Sequence, residues 1–411
     1  MNKLFYFDYL LKERYRYKDL LEFLNNSKEL PQVVFSQNYL EIFKCLILSL
    51  IYDKPLTIID YDFTENELKK IGISHYELNK NSILPRNLSI DLATIIESKD
   101  KLYNWSLTLF TSGTTGVPKK YTHSFTSLSK TLKINSKHEN DIWGFAYNPT
   151  HIAGIQLFLQ AIFNFNTIIR LFGIPNSAII KLIADENINR ISATPTFYNL
   201  LSTKKQFPEV VSVTSGGEKL SEKRTQELKH IFPNARINNI YAATEFGSLL
   251  ISRDNVFEIN SQNNNFLKIV DDELYVKKDF VAKSSLETSK NEWFKTGDKV
   301  RIISNNPLRF EFLAREDEII NVGGYKVMPE EVEETAMKFS GVYAARVYGK
   351  KNSVLGSIVC CDIVLEDKID KIDIAVLRKY FSSNLQEFKV PRLINVVKEI
   401  PKTRTGKIKR L

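Results

Sequence analysis

The chain has 411 residues, 43% of them hydrophobic and 26% charged, with a formal net charge of +9. That composition excludes fibrous and disordered classes and leaves a globular protein of one to three domains with a substantial core. Cys45, Cys360 and Cys361 are too few for a disulfide framework, no apolar run reaches the length of a membrane span, and nothing after Met1 reads as a secretory leader, so a cytoplasmic protein without a membrane span is expected.

Residues 1 to about 100 mix amphipathic helices with short strands. Residues 41–52 read as a buried helix and residues 56–60 as a strand. From Trp105 onward, short apolar runs end in turns rich in Gly, Ser or Thr. Residues 107–110 precede the turn 111–116, residues 210–213 precede 214–217, and residues 237–241 precede 242–245. The run 151–175 is broken by Gln156, Gln160, Asn164, Asn166 and Arg170, which predicts a buried helix followed by a strand. A helix over 221–231 is expected, with Ser221 as its cap. Strands alternating with helices predict an α/β domain with a largely parallel sheet, whose ligands gather at strand ends.

The pattern changes at the charged stretch 315–318. A strand over 309–313 comes before it. Residues 319–322, a Gly323–Gly324 turn, a helix over 329–338 opened by Pro329, strands over 344–348 and 357–365 and a helix over 374–385 come after it. Two domains are expected: a large α/β domain over 1–314 with mostly parallel sheets, and a small, mobile α+β lid over 315–411.

The stretch most suggestive of chemistry is Thr111-Ser-Gly-Thr-Thr-Gly-Val-Pro-Lys119. The hydroxyls of Thr111, Ser112, Thr114 and Thr115, the turns that Gly113 and Gly116 permit, and the Lys119 ammonium suit an anion such as phosphate. The spacing is not that of a Walker loop, because Val117 and Pro118 follow Gly116. Alone, such a loop is more often a flexible surface turn.

The loop resembles the phosphate-gripping signature of the acyl-adenylate-forming family, which includes acyl- and aryl-CoA synthetases, adenylation domains of non-ribosomal peptide synthetases, and firefly luciferase. The resemblance recurs in order. Tyr241-Ala-Ala-Thr-Glu245 resembles a Tyr-Gly-x-Thr-Glu motif, and Trp293-Phe-Lys-Thr-Gly-Asp298 resembles Trp-x-x-Thr-Gly-Asp. Residues 314–333 resemble the family's hinge motif, and Pro401-Lys-Thr-Arg-Thr-Gly-Lys407 its catalytic-lysine motif.

This resemblance implies a reaction, three substrates with a metal, and a set of roles. The reaction is ATP-dependent activation of a carboxylic acid to an acyl-adenylate with release of pyrophosphate, followed by transfer to a thiol. Residues 111–119 should hold the β- and γ-phosphates. Thr244 should bond the α-phosphate, and Glu245 should bind Mg²⁺, which takes carboxylate and phosphate oxygens together. Asp298 should accept from the ribose hydroxyls, with Arg315 reaching ribose or phosphate. Lys407 should offset the charge built as a carboxylate attacks the α-phosphate. Ser215, Gly216, Gly217 and Glu218, with Tyr241 and Ala242, should contact adenine and the acyl pocket. His151 should line that pocket, with Thr194 and Thr196 supplying another loop. Asp317 falls at the family's hinge, and Gly323 and Gly324 should admit the thin pantetheine arm of the acceptor.

Departures from the pattern are small in chemistry and larger in length. Ala242 and Ala314 each replace a glycine. The region before Thr111 and the interval from Glu245 to Asp298 are shorter than usual, so parts of the large domain are trimmed, and a homodimer contact could replace the lost surface. Ile152 stands where amino-acid-activating members carry an Asp for the substrate's amine, which argues against an α-amino acid. An apolar or aromatic acid is expected, with coenzyme A or the phosphopantetheine of an acyl carrier protein as acceptor. The chain ends four residues after Lys407, so no fused carrier domain is expected. The charge of +9 fits an acidic partner, although a basic composition spread over solvated faces is the better explanation of it. No nucleic-acid module is recognisable. A non-catalytic nucleotide-binding relative is the third reading; a damaged phosphate loop, Glu245 or Lys407 would be its sign, and all are intact.

Overall fold

The computed structural model describes residues 2–85, 89–111, 118–201, 203–217, 220, 222–284, 291–315, 318–322, 325–352, 356–366, 369, 371–402 and 408–409. The apolar run after Asn38 forms the helix Tyr39–Ile51, capped by the Asn38 side chain, which accepts from the backbone N–H groups of Leu40 and Glu41. It is buried on nearly all sides because it lies inside the main apolar cluster, where Phe43 stacks on Phe158 at 4.3 Å.

Backbone packing divides the chain into two units, Met1–Arg253 with Lys278–Glu292, and Asp254–Lys277 with Trp293–Leu411. The first unit holds an eight-stranded sheet. Its interior is parallel: Ser212–Gly216 lies between Arg236–Ala243 and Arg190–Ala193, followed by Ile142–Ala146, Thr167–Arg170 and Leu4–Asp8. The edges are antiparallel, Gly247–Ser252 on one side and Glu13–Arg16 on the other. A second sheet of five strands contains Leu56–Ile59, Leu107–Thr111 and Lys119–His123. The run 151–175 forms the expected helix, Ile152–Ile162, and strand, Thr167–Arg170.

Several strands run past the turns expected for them. Thr214, Ser215 and Gly216 were read as a turn, yet they pair with Asn238, Asn239 and Ile240 in a parallel ladder. Small residues fit there because the neighbouring strand comes close: a Cβ on Gly216 would lie 3.3 Å from the Ile240 carbonyl oxygen. Asp298 lies inside the strand Trp293–Asn305. Ser221, the expected cap of the helix Glu222–Ile231, is outside the described residues.

The second unit contains two antiparallel arrangements. One is a five-stranded sheet that includes Glu273–Lys277, Trp293–Asn305 and Leu308–Arg315. The other pairs Val342–Asn352 with Gly356–Leu365, to which Leu393–Val396 adds in parallel. The helices Pro329–Met337 and Ile374–Asn384 bury Val332, Ala336, Leu377 and Phe381 in a shared apolar cluster with this sheet. Among the described residues, no helix is long and apolar enough to cross a membrane.

Candidate active site

The carboxyl ends of the parallel strands collect most of the expected site residues of the first unit, where an open α/β sheet holds ligands. Thr194 follows the strand Arg190–Ala193 and caps the helix Pro195–Leu200 by accepting from the Phe197 N–H at 3.2 Å. Ser215, fully buried, and Gly216 end the next strand, with Gly217 directly after. Tyr241 and Ala242 end the strand beyond it, where a register shift between them interrupts pairing with Gly247–Ser252. Such a bulge re-aims side chains, and it falls just before Thr244 and Glu245.

The phosphate-loop residues Ser112, Gly113, Thr114, Thr115 and Gly116 lie outside the described residues. The ends of the loop are described: Thr111 and Lys119 are opposite one another in an antiparallel pair. The strand that leaves the loop reaches the Thr-Glu motif. Side chains two apart on a strand share a face, and here Tyr121 and His123 do. The Tyr121 hydroxyl donates to Glu245 Oε1 at 3.1 Å, and the Glu245 carbonyl accepts from the Ala282 N–H at 2.6 Å. His123 is fully buried, with Nδ1 3.4 Å from Ser127 Oγ. Burial lowers its pKa to about 4; a hydrogen bond with the Thr244 backbone opposes the shift, and the nearby Lys130 charge adds to it. His123 is therefore neutral at physiological pH. Neither Tyr121 nor His123 was singled out from sequence, although their alternation straight after the loop was the available signal.

His151 caps the helix Ile152–Ile162, and its Nε2 lies 3.2 Å from Asp60 Oδ2. Asp60 follows the strand Leu56–Ile59, is buried, and also accepts from Asn148 Nδ2 at 2.7 Å and from the Thr150 hydroxyl. Gly154 belongs to the same arrangement, because a Cβ there would collide with the Asn148 carbonyl oxygen. The segment 148–154 is thus folded tightly around one carboxylate that sequence reading missed. Ile152 is buried as well.

In the second unit Asp298 is 7% exposed and opposite Arg315 in the ladder between Trp293–Asn305 and Leu308–Arg315. Lys407, Glu218, Asp317, Gly323 and Gly324 lie outside the described residues. Lys402, the second residue of the lysine motif, and Ile408, directly after the motif, form an antiparallel bridge.

Among the described residues, no group of three or more His, Cys, Asp and Glu side chains gathers as a metal cage. Mg²⁺ does not need one, since it takes one or two carboxylates together with substrate phosphates and water. Glu245, held at one oxygen by Tyr121, fits that donor set.

Comparison with known proteins agrees with this layout. The AMP-binding enzyme model matches residues 57–277, and the AMP-binding enzyme C-terminal domain model matches residues 331–407. The 2-succinylbenzoate–CoA ligase of Listeria innocua is 26% identical over 419 aligned residues, covering 94% of this chain and 82% of the relative. The 3,4-dihydroxybenzoate–[aryl-carrier protein] ligase of Bacillus anthracis is 43% identical over 99 residues, 24% of this chain and 23% of the relative. The o-succinylbenzoate CoA synthetase of Bacillus subtilis, in complex with its acyl-adenylate intermediate, shares the fold with a TM-score of 0.72 at 18% identity, covering 99% of this chain and 94% of that one. With one family model spanning more than half of its length and the companion model following in order, this chain belongs to the AMP-binding enzyme family.

Proposed function

We propose that this protein activates an apolar or aromatic carboxylic acid as its acyl-adenylate, releasing pyrophosphate from ATP, and then transfers the acyl group to the thiol of coenzyme A. It is an AMP-forming acid–thiol ligase of the AMP-binding enzyme family. The observation that carries the reading is the convergence in the first unit: the strand leaving the phosphate loop holds Glu245 through Tyr121 and contacts Thr244 through His123.

In this reading Thr111–Lys119 hold the outer phosphates and Thr244 the α-phosphate. Glu245 holds Mg²⁺, which supplies positive charge against the phosphate oxygens. The substrate carboxylate oxygen attacks the α-phosphorus, the bond to the β-phosphate oxygen breaks, and Lys407 stabilises the charge gathered between the two anions. Asp298 holds the ribose. Residues 315–411 act as a lid that turns about Asp317, so that Gly323 and Gly324 replace Lys407 at the site for thioester formation. The thiolate then attacks the acyl carbon and AMP leaves. Ile152 and His151 face the acid, and a cytoplasmic location suits this chemistry.

Coenzyme A is favoured as acceptor because the relatives matching nearly the whole chain are CoA ligases. The 99-residue likeness to an aryl-carrier-protein ligase favours the second reading, a stand-alone loader of a carrier protein. One experiment separates them. Pyrophosphate release is measured over a panel of aromatic and aliphatic acids with Mg²⁺ and ATP, and the thioester is then sought with free coenzyme A and with phosphopantetheinylated carrier protein. A thioester formed with the carrier alone would replace the first reading by the second. Absence of acid-dependent pyrophosphate release across the panel would remove both.

A further inference from the structure

We propose that Glu273 is a positioning residue for Asp298, and that it sets recognition of the ribose of ATP without touching the nucleotide. The proposal rests on Asp298 being the ribose ligand. Glu273 opens the strand Glu273–Lys277 and is 1% exposed. Its Oε1 accepts the Gly297 N–H at 3.0 Å, and its Oε2 lies 3.1 Å from Lys299 Nζ and 3.2 Å from Lys295 Nζ. A carboxylate buried this deeply is costly unless it is paired and hydrogen-bonded. Here both oxygens have partners, and all of them belong to residues 295–299.

The register explains what this carboxylate does. Glu273 is opposite Lys299 and Tyr275 is opposite Lys295, so the longer strand carries extra residues between those pairs. The extra residues form a corner at Thr296, Gly297 and Asp298. Gly297 takes a φ of +76°, a conformation that suits glycine. The Thr296 hydroxyl donates to the Leu274 carbonyl at 2.7 Å and accepts from the Asp298 N–H at 3.1 Å. One side of the corner is therefore pinned by Thr296 and the other by Glu273. The hydrogen bond from Gly297 fixes the Thr296–Gly297 peptide and that from the Asp298 N–H to Thr296 fixes the next one, and together they set the direction in which the Asp298 side chain leaves the bulge. The two lysines hold the Glu273 charge in place from the same strand.

The test is equilibrium binding of ATP and of 2′-deoxy-ATP, measured by calorimetry, to the wild type and to Asp298→Ala, Glu273→Ala and Glu273→Asp. The wild type should prefer ATP by about tenfold, as expected for one hydrogen bond to a charged group. Asp298→Ala and Glu273→Ala should both abolish most of that preference. Glu273→Asp keeps the charge for Lys295 and Lys299 but draws back from Gly297, and it should lose most of the preference too. A cooperatively melting Glu273 variant that keeps the full preference, while Asp298→Ala loses it, overturns the proposal alone. If Asp298→Ala also keeps the preference, the ribose role of Asp298 fails and the proposal falls with it. If neither Glu273 variant folds, Glu273 is a structural residue only and the proposal is overturned.

Discussion

The two units present their key carboxylates in different ways. Glu245 follows a bulged strand end, is partly exposed, and is tethered at one oxygen by a single phenol. Asp298 is buried inside a thirteen-residue strand, at a corner pinned by Thr296 and Glu273. The difference matches the role proposed for each. A carboxylate that would share a hard cation with phosphates must adjust as the phosphates change. A carboxylate that reads two neighbouring hydroxyls meets a rigid diol and gains from being fixed in advance.

The largest expected effect comes from removing the charge that the proposed mechanism places between the two reacting anions. Lys407→Ala should lower acid-dependent pyrophosphate release by about a thousandfold while ATP affinity changes little. Retained adenylation would remove Lys407 from its assigned role. Next in size is a paired measurement that separates the two carboxylates. Glu245→Gln should lower adenylation by about a hundredfold and raise the Mg²⁺ concentration needed for half-maximal rate. Asp298→Asn should weaken ATP binding by about tenfold and leave the Mg²⁺ requirement unchanged. Equal Mg²⁺ dependence in both variants would erase the distinction.

The motifs of the proposed site could be named from sequence because phosphate and ribose chemistry demands particular residue types at short spacing. The Thr111–Lys119 loop, the Thr244–Glu245 pair and the Thr296–Asp298 corner are all local. So was the alternation of apolar runs with helices that predicts the parallel sheet. What was not legible depends on register. Tyr121 meets Glu245 across 124 positions of chain, from one sheet to another, and Glu273 meets Gly297 across 24 through a strand pairing, and composition specifies neither. Asp60 reads as an ordinary residue after a strand, yet it accepts from Asn148 and Thr150 and lies 3.2 Å from His151 Nε2. Thr214, Ser215 and Gly216 look like a turn because small residues also suit a strand that another backbone approaches closely.

His123 sharpens the comparison on the side of Glu245, through pH. Its pKa falls from 6.5 to about 4 on folding. Between those values the unfolded chain binds a proton that the folded protein refuses. Stability is therefore unaffected by this group above about pH 6.5 and declines as pH falls toward 4, by about 1.4 kcal/mol per pH unit at the steepest. His123→Gln should remove that slope. Urea unfolding at pH 7, 6 and 5 should show the wild type losing about 1 kcal/mol more than the variant between pH 6 and pH 5. Parallel losses in the two proteins would mean that His123 is protonated in the fold, and that its contact with Thr244 is of another kind.

The smallest expected effect bears most directly on the tether. Tyr121→Phe removes one hydroxyl from a buried ring and leaves the packing of the ring in place, so the thermal midpoint should move by only a few degrees. The carboxylate of Glu245 loses the donor on Oε1 and becomes free to rotate. If that phenol does no more than satisfy the carboxylate, the bound cation takes over as its partner and the rate is unchanged. If it aims the second oxygen toward the metal, adenylation should fall by about three- to tenfold, and the half-saturating Mg²⁺ concentration should rise by a similar factor. The same substitution should leave the preference for ATP over 2′-deoxy-ATP untouched, since that preference is proposed to rest on Asp298, in the other unit. A change in ribose preference without a change in Mg²⁺ dependence would reverse the assignment of roles between the two carboxylates.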